Sequence, residues 1–415
     1  MPMPSDTPRS GPLSHIRVLD LTTHLAGPYA TQILGDLGAQ IIKLEAPGGE
    51  STRHMPPHFI AGTSTYFHSI NRNKQSIIVD LKSPEGKQVA KDLADECDIL
   101  IENSRPGVMK RLGLSYEDLE PGRPGLIYCS LSGFGQEGPD RDLPALDIIV
   151  QALSGGMSMT GEKGGKAVRA GLPIGDVCAG MYCVIGVLAA LARRTETGQG
   201  DYIDVAMLDV QVAFLCYQAA AYFHTGKAPG RQGREHDMIP LINCFEAKDG
   251  VEVVIAANSA TGFKALSDFL GVPELPEDPR YKEPRERLKN KESLVATLRE
   301  AFKTRTSVEI MAYLRQQGVP VGIVNTVDKA LEIEQLKHRD MILELKGDSE
   351  EERARVVGDP IKIRRAGRKT HTYAPRLGAD SRYILDEVLG YDAGKIEALI
   401  QSGAVQEKGL AKAAE

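Results

Sequence analysis

The chain has 415 residues, of which 42% are hydrophobic and 26% are charged, and these proportions exclude a disordered or fibrous protein. At roughly 150 residues per domain, this length predicts two or three domains. Fifty Lys and Arg against 56 Asp and Glu give a formal charge of −6, and no basic cluster is dense enough to neutralise a nucleic-acid backbone. We therefore expect no nucleic-acid partner.

The N-terminal residues and the cysteines indicate a cytoplasmic protein without a membrane partner. Residues 1–13 are rich in Pro and Ser, lack the apolar core of a signal peptide and predict a flexible tail. We expect no run of about 18 apolar residues that could span a bilayer. The six cysteines form no C-x-x-C pair, which favours buried thiols in a reducing compartment over disulfides or a metal site.

The first half of the chain alternates short apolar runs with segments of helical periodicity. These patterns predict strands at 16–21, 41–44, 76–81, 99–102 and 126–131, and helices at 29–37, 83–97 and 106–112. Strands that alternate with helices imply right-handed crossovers and a mostly parallel sheet. The predicted fold class is therefore α/β.

The second half begins with two long helices at 176–194 and 207–224, separated by a strand at 202–205. Their almost uniformly apolar character predicts burial between layers or against another subunit. A linker rich in Gly, Pro and Arg follows at 226–237. We then expect a smaller unit with a strand at 251–256 and helices at 260–270, 294–303 and 307–317, and a C-terminal helix at 392–402 with Asp392 as its N-cap.

Familiar catalytic motifs are missing from the sequence. The first strand leads into TTHLAGP, which is not the G-x-G-x-x-G of a dinucleotide site, and GEKGGK at 161–166 does not have the spacing of a phosphate loop. We find neither H-E-x-x-H nor G-x-S-x-G. A carboxylate remains: Asp176 follows Gly175 at the start of the long apolar helix, where free backbone amides stabilise a negative charge. This position alone is also typical of a helix cap.

Seven stretches of the sequence together carry a specific resemblance. They are IRVLDLTTHLAGPYATQILGDLGAQIIKLEAPGGESTR, NRNKQSIIVDLKSPEG, ILIENSRPGVMKRLGL, PIGDVCAG, TGQGDYIDVAMLD, GVPVGIVNTVDKAL and APRLG. With them the chain resembles the family III coenzyme A transferases (the CaiB/BaiF family), which include formyl-CoA transferase and carnitine CoA-transferase. The resemblance extends over nearly the whole chain.

The resemblance implies a Rossmann-like large domain and a smaller α+β domain in an interlocked homodimer, in which each chain is threaded through its partner. The large domain would comprise 14–225 and be completed by the C-terminal segment 350–415. The small domain would span 238–330, between linkers at 226–237 and 331–349. This arrangement would cover the apolar helices that follow Asp176.

The activity implied is transfer of CoA from an acyl-CoA donor, expected to be succinyl-CoA, to a small carboxylic acid, expected to be a short dicarboxylate. Asp176 would be the nucleophile and would form an aspartyl anhydride and then an aspartyl-CoA thioester. Each step passes through an oxyanion, for which the backbone amides beside Asp176 are candidate donors. We expect no metal and no tightly bound cofactor, with CoA and acyl-CoA acting as substrates.

The resemblance also suggests binding residues. The phosphates and adenine of CoA would meet Arg53, Arg72, Lys74, Asn103, Arg105 and Arg111, and Tyr66 would line the thioester end. Leu25 stands where formyl-CoA transferase has a glutamine, which argues against a formyl or oxalate substrate. Leu25, with His236 and Asn258 of the small domain, is a candidate contact for the acceptor acid.

Two alternatives stay open. The α-methylacyl-CoA racemases share this fold but need a histidine in a G-H-D-I-N segment as proton acceptor and donor, and this chain has Leu146 at that position. A catalytically silent CoA-binding protein is the other alternative, and the intact Asp176 argues against it. CoA binding without CoA exchange would favour this second alternative.

Overall fold

The computed structural model describes residues 10–366 and 370–407 and divides them between two compact units. The large unit runs to Gly156, resumes over Arg169–Ala220 and returns from Gln335. The small unit comprises Met157–Val168 and Ala221–Glu334, so Met157–Val168 belongs to it and not to the predicted large domain. Most of the tail predicted at 1–13 lies outside the described residues.

A mostly parallel sheet forms the centre of the large unit. The strands of the described residues are β1 (Arg17–Leu21), β2 (Gln40–Glu45), β3 (Phe59–Ile60), β4 (Thr63–Ser64), β5 (Lys74–Val79), β6 (Ile99–Glu102), β7 (Ile127–Ser132), β8 (Asp201–Ala206), β9 (Ile242–Glu246), β10 (Glu252–Ala256), β11 (Val321–Ile323), β12 (Ile342–Lys346), β13 (Arg353–Val357) and β14 (Val405–Gln406). The central sheet has the order β14-β5-β2-β1-β6-β7-β8, and only β14 is antiparallel to its neighbour. The predicted α/β class is confirmed.

Helices connect these strands. They are α1 (Ala26–Asp36), α2 (Thr65–Ile70), α3 (Pro84–Glu96), α4 (Val108–Leu112), α5 (Tyr116–Leu119), α6 (Asp147–Leu153), α7 (Gly156–Met159), α8 (Ile174–Thr197), α9 (Met207–Ala213), α10 (Cys216–Thr225), α11 (Ala260–Leu270), α12 (Pro284–Lys289), α13 (Lys291–Phe302), α14 (Ser307–Gln316), α15 (Val327–Leu331), α16 (Glu334–His338), α17 (Ser381–Tyr383) and α18 (Ala393–Gln401). One turn of π-helix, Ile384–Val388, follows α17.

Two hydrophobic cores cover the two faces of the central sheet. One face packs against α1 and α8 and contains Leu34 and Val187. The other packs against α3 and the C-terminal segment, from which Leu385 and Leu399 contribute. Asp392 is the N-cap of α18, as predicted, and accepts a hydrogen bond from the Lys395 amide (2.9 Å). The C-terminal segment therefore completes the core of the large unit.

Helix α8 is apolar enough to cross a membrane by length and composition alone, contrary to the sequence-based expectation. One face nevertheless lies against α1 and the sheet, where the absence of a side chain at Gly180 and Gly186 permits close packing. The opposite face exposes Met181, Ile185 and Leu188. The helix is thus a layer of the α/β core with one uncovered apolar face.

The helix predicted at 207–224 is broken in the structure. Helix α9 ends at Ala213 and α10 begins at Cys216, whose φ of 42° lies in the left-handed region. A non-glycine residue in this region interrupts α-helical hydrogen bonding. The apolar periodicity continues across the break, which is why the sequence pattern predicts a single helix.

The small unit is an α+β fold. Strands β9, β10 and β11 form an antiparallel sheet in the order β11-β10-β9. Its core contains Phe245 and Phe302, whose rings stack with centroids 4.4 Å apart, together with Leu266 and Leu298. Helix α14 begins with a capping box, in which Thr306 and Glu309 satisfy each other's backbone amides.

Candidate active site

Several helices of the large unit begin at the edge of the sheet where the parallel strands end. Ligands of open α/β sheets bind at this edge. Helices α1, α6 and α8 begin there, at Ala26, Asp147 and Ile174. A Cβ on Gly180 would lie 2.6 Å from the carbonyl oxygen of Ala26, so the first turn of α1 is in close contact with the second turn of α8. Asp176, in the first turn of α8, therefore lies at the ligand-binding edge.

Asp176 is the third residue of α8 and does not cap it. The N-cap is Pro173, which has no side-chain acceptor. The carboxylate of Asp147 takes this role from α6: its Oδ1 accepts a hydrogen bond from the Gly175 amide (2.7 Å) and a longer one from the Asp176 amide (3.4 Å). The Gly175 amide therefore already donates to a carboxylate, and the role of the backbone amides beside Asp176 as oxyanion donors stays a prediction.

The electrostatic environment makes Asp176 an unusually basic carboxylate. Burial, and then the negative charge of Asp147, raise the pKa of Asp176 from 3.8 to about 6. A carboxylate that is partly desolvated and more basic than usual is a better nucleophile toward a carbonyl carbon. It is still ionised in most molecules at neutral pH. This perturbation is of the kind that marks functional sites.

Tyr66 lies close enough to Asp176 for the two groups to interact electrostatically. It belongs to the first turn of α2, where its amide donates to the hydroxyl oxygen of Ser64 (3.2 Å). Burial, followed by the charges of Asp176 and Glu50, raises the pKa of Tyr66 to about 12. The phenol is therefore protonated at neutral pH and available as a hydrogen-bond donor.

Two glutamines complete the surroundings of the turn. Gln151 donates to Oδ2 of Asp147 (2.6 Å) and accepts from the Ala170 amide (2.9 Å). A Cβ added to Gly175 would lie 2.8 Å from Asp147 Oδ1 and 3.1 Å from Gln211 Nε2, so a larger residue here would displace the side chain of Asp147. Sequence reasoning missed Asp147 and Gln151. The available signal was their i,i+4 spacing at a helix start.

Asn103 joins two loops at the same edge. Its side chain accepts from the Thr23 amide and donates to the Thr23 carbonyl oxygen, both at 2.8 Å, and so connects the loops after β1 and β6. Arg105 follows on an exposed loop, and Arg111 follows on α4. Among the described residues, neither guanidinium has a hydrogen-bond or ion-pair partner, so both are available to an anion.

A cavity of about 500 Å³ opens beside Arg105 and is lined by residues of β6, β7 and β8. Its wall includes Glu102, Tyr116, Tyr128 and Tyr202. Burial raises the pKa of Glu102 to about 7, against hydrogen bonds from Ser104 and Ser130 that lower it. The cavity thus combines aromatic rings, a carboxyl group of near-neutral pKa and an exposed guanidinium.

Three of the predicted CoA contacts are buried in internal ion pairs. Arg53 pairs with Glu45 in bidentate fashion (2.6 and 2.7 Å) and lies over the Phe67 ring, and Arg72 pairs in the same way with Asp36 (2.6 and 2.8 Å). Lys74 Nζ contacts Asp20, Asn71 and the Pro28 carbonyl oxygen at 2.8–3.0 Å. In the structure these cations fix neighbouring segments to one another, and their burial keeps them from a phosphate at a pocket mouth.

The predicted acceptor contacts lie in two different units. Leu25 is the N-cap of α1 in the large unit and is partly buried. His236 and Asn258 belong to the small unit, where the His236 amide donates to the Ile242 carbonyl oxygen (3.1 Å) and Asn258 is exposed after β10. Their role toward an acceptor stays a prediction.

Leu146 occupies the position of the racemase histidine. It immediately precedes Asp147, and its side chain is 66% exposed. An aliphatic side chain cannot exchange a proton with a substrate carbon, and the carboxylate that follows it serves the α8 turn. In the described part of the chain, no group of three or more His, Cys, Asp and Glu side chains is arranged to hold a metal ion.

Comparison with known proteins agrees with this geometry. The profile of "CoA-transferase family III" matches residues 13–381. The chain is 37% identical to succinyl-CoA:glutarate CoA-transferase of Mus musculus over 404 residues, which cover 97% of this chain and 92% of the relative. It is 40% identical to acetyl-CoA:oxalate CoA-transferase of Acetobacter aceti over 355 residues, or 85% and 89% of the two chains.

A solved structure has the same fold. The crystal structure of a CAIB/BAIF family protein from Brucella suis superposes with a TM-score of 0.81 at 35% identity, covering 91% of this chain and 100% of that one. The match of the family profile to most of the chain, the similarity of the relatives and the aspartate held at the sheet edge agree with one another. The chain belongs to CoA-transferase family III.

Proposed function

We propose that this enzyme moves CoA from succinyl-CoA to a short dicarboxylic acid, with Asp176 as the covalent nucleophile. The observation that carries the proposal is the environment of the Asp176 carboxylate. It is partly desolvated beside Asp147, and the pKa of Asp176 is raised to about 6. Relatives that share 35–37% of their residues with this chain are named as transferases that act between succinyl-CoA or succinate and glutarate. The relative that acts on oxalate is named for another dicarboxylate.

The proposed reaction has four steps that balance without an external redox partner. The Asp176 carboxylate attacks the donor carbonyl, the carbon–sulfur bond breaks, and CoA leaves as a thiolate. The thiolate attacks the aspartyl carbonyl of the anhydride and releases the donor acid. The acceptor carboxylate then attacks the aspartyl-CoA thioester and expels the thiolate, which finally attacks the acceptor carbonyl and regenerates Asp176.

The proposed oxyanion donor is Tyr66 and not the Gly175 amide. The Tyr66 phenol is protonated, since the pKa of Tyr66 is raised to about 12, and the charge interaction with Asp176 indicates its proximity. The Gly175 amide already donates to Asp147. A phenol that stays neutral over the working pH range can stabilise negative charge as it develops on the carbonyl oxygen.

The proposed contacts for the CoA phosphates and adenine are Asn103, Arg105 and Arg111. The two guanidinium groups are exposed, and they lie in the segment that follows β6 at the ligand-binding edge. Charge-assisted hydrogen bonds from arginine suit phosphate oxygens. Arg53, Arg72 and Lys74 are not included, because their donors are used by buried carboxylates. Leu25, His236 and Asn258 remain candidates for the acceptor.

Trapping the covalent intermediate tests the nucleophile. The enzyme is incubated with succinyl-CoA and treated with hydroxylamine or borohydride, and its peptides are measured by mass spectrometry. We expect modification at Asp176, none in Asp176→Ala, and normal modification in Asp142→Ala, whose carboxylate is exposed on the loop before α6. Full activity in Asp176→Ala would refute the mechanism.

A substrate screen tests the acceptor class. Succinyl-CoA and acetyl-CoA are offered with glutarate, oxalate and the monocarboxylate butyrate, and the CoA products are identified by mass spectrometry. We expect glutaryl-CoA to form from succinyl-CoA at a kcat/KM at least tenfold above that for butyrate. Equal use of butyrate would contradict the dicarboxylate assignment while leaving CoA transfer intact.

We also propose that the active form is an interlocked homodimer. The large unit exposes apolar side chains of α8 and the following helices, among them Ile185, Leu188, Val212 and Phe214. An apolar surface of this kind on a soluble chain marks an interface. Light scattering should give twice the mass of one chain, and dilution to nanomolar concentration should not release monomers. A monomer with full activity would contradict the proposal.

A further inference from the structure

We propose that Asp147 is a positioning residue for the nucleophile, and that Gln151 links it to the segment 169–173 that leads into helix α8. The inference rests on the proposed function, in which Asp176 is acylated. It assigns a role in the reaction to a residue that contacts the nucleophile's turn from a different helix. The role of Asp147 has a geometric part and an electrostatic part, which respond differently to mutation.

The geometric part concerns the uncapped start of α8. The first amides of a helix have no partner within the helix, and Pro173 at the N-cap offers no side-chain oxygen. Asp147 Oδ1 supplies the missing acceptor for Gly175 at 2.7 Å. Because Gly175 and Asp176 are consecutive, this bond fixes the backbone from which the nucleophile projects. A Cβ at Gly175 would come within 2.8 Å of the same oxygen, so any side chain at this position would push the Asp147 carboxylate away from the Gly175 amide.

Gln151 connects Asp147 to the chain segment before the nucleophile. Its Nε2 donates to Asp147 Oδ2 (2.6 Å), and its Oε1 accepts from the Ala170 amide (2.9 Å). One side chain thereby holds both the second oxygen of Asp147 and the backbone three residues before Pro173. The position of the segment 169–173 and the position of the Asp176 turn are thus fixed by the same two side chains.

The electrostatic part concerns the charge on Asp147. Asp147 is the charged group that acts on Asp176 in the described structure, while the other titratable groups around the turn, Tyr66, Tyr29 and Cys178, have raised pKa values and are neutral near pH 7. Acylation converts Asp176 from an anion to a neutral anhydride or thioester, which removes its repulsion with Asp147. A charged Asp147 therefore favours the acylated enzyme over the free carboxylate.

An asparagine at 147 removes the negative charge. Its amide oxygen can still accept from the Gly175 amide, so the helix start keeps its cap, but its NH2 group would face the NH2 group of Gln151 and that hydrogen bond is lost. Gln151→Met loses the same hydrogen bond while it keeps the charge, so the difference between the two variants isolates the electrostatic part. A glutamate at 147 keeps the negative charge but moves the carboxylate by one methylene, so it changes the geometry at the helix start. Gln151→Met keeps Asp147 itself and removes the link to Ala170.

The experiment measures the pH dependence of kcat/KM for succinyl-CoA and the fraction of enzyme trapped as the Asp176 adduct. In wild type the acid limb should have an apparent pKa near 6. In Asp147→Asn it should move down by at most about one pH unit, because burial is the larger cause of the raised pKa and remains, and the trapped fraction should fall by up to about tenfold. The matched control is Asp142→Asn, the same change on an exposed carboxylate five residues earlier. It should leave the acid limb and the trapped fraction unchanged. An unmoved limb in Asp147→Asn refutes the electrostatic part.

The remaining variants keep the proposal testable if Asp147→Asn does not fold. Asp147→Glu should retain the wild-type acid limb and lose at least tenfold in kcat, and Gln151→Met should lose rate at every pH without moving the limb. Wild-type rates in both would refute the positioning role. A wild-type enzyme that forms no adduct at Asp176 would instead refute the proposed function, so the two failures are distinguishable.

Discussion

A neutral residue at position 176 should make the folded protein more stable at alkaline pH while abolishing activity. The carboxyl of Asp176 has its pKa raised from 3.8 to about 6 in the fold, chiefly by burial. The folded state therefore binds more protons than the unfolded state between about pH 4 and pH 6. The free energy of unfolding must fall as pH rises through this window, and the loss is complete above it.

The magnitude follows from the size of the shift. A difference of about two pKa units corresponds to about 3 kcal/mol. Two effects reduce this value: the carboxylate is partly exposed to water, and the dipole of α8 stabilises its negative charge in the first turn. The expected net gain in the free energy of unfolding for Asp176→Asn at pH 8 is therefore about 1–3 kcal/mol. At pH 4, where the wild-type carboxyl is protonated, the variant and the wild type should be equally stable.

Urea unfolding at pH 4 and pH 8 measures this difference. Asp380→Asn is a matched control, because burial also raises the pKa of Asp380 to about 6, and this residue lies in the C-terminal segment against the Ser76 amide. It should give a similar pH-dependent gain with activity retained. If Asp176→Asn gained no stability at pH 8 relative to pH 4, the site would not destabilise its own nucleophile, and our account of its basicity would be wrong.

Three further outcomes follow from the contacts. Arg111→Ala should raise the Michaelis constant for every acyl-CoA donor about ten- to a hundredfold with an unchanged melting temperature, and an effect confined to the free acid would oppose the CoA assignment. Arg53→Ala should instead lower the free energy of unfolding by about 3–5 kcal/mol, measured in urea at pH 7, because Glu45 loses its buried partner. Gly175→Ala should slow adduct formation at least tenfold through its clash with Asp147, and wild-type trapping would contradict this.

The sequence predicts the order of elements well because the signals are local. The strand predicted at 99–102 is observed as Ile99–Glu102, and helix α11 has the predicted bounds Ala260–Leu270. Ser83 and Pro84 mark the start of α3 through a side-chain cap and a proline in the first turn. The break at Cys216 escapes such reasoning, because apolar spacing carries no information on a single left-handed residue.

The burial of charged residues cannot be read from the sequence, because their partners lie far along the chain. Arg72 pairs with Asp36, which is 36 residues away in the sequence, and Lys74 pairs with Asp20, which is 54 residues away. The resemblance groups Arg53 with Arg111 as ligands of CoA, whereas the structure buries the first and exposes the second. Asp147 was missed for the same reason, since its function depends on a helix start 28 residues later.

The buried ion pairs explain how the site can hold a destabilised nucleophile. Lys43 pairs with Glu50 (2.6 Å) and donates to the Thr22 carbonyl oxygen, while Glu50 accepts from the His24 amide (2.9 Å), so the loop before α1 is fixed by charges that are themselves buried. Breaking such a pair leaves an uncompensated charge, which makes the loop costly to displace. The sheet edge beside this loop can therefore hold the Asp176 carboxylate in a partly desolvated position next to Asp147, although this position destabilises its charge. An enzyme that stores strain at its nucleophile needs this stiffness beside it, because a flexible edge would relax and let water restore the ordinary pKa.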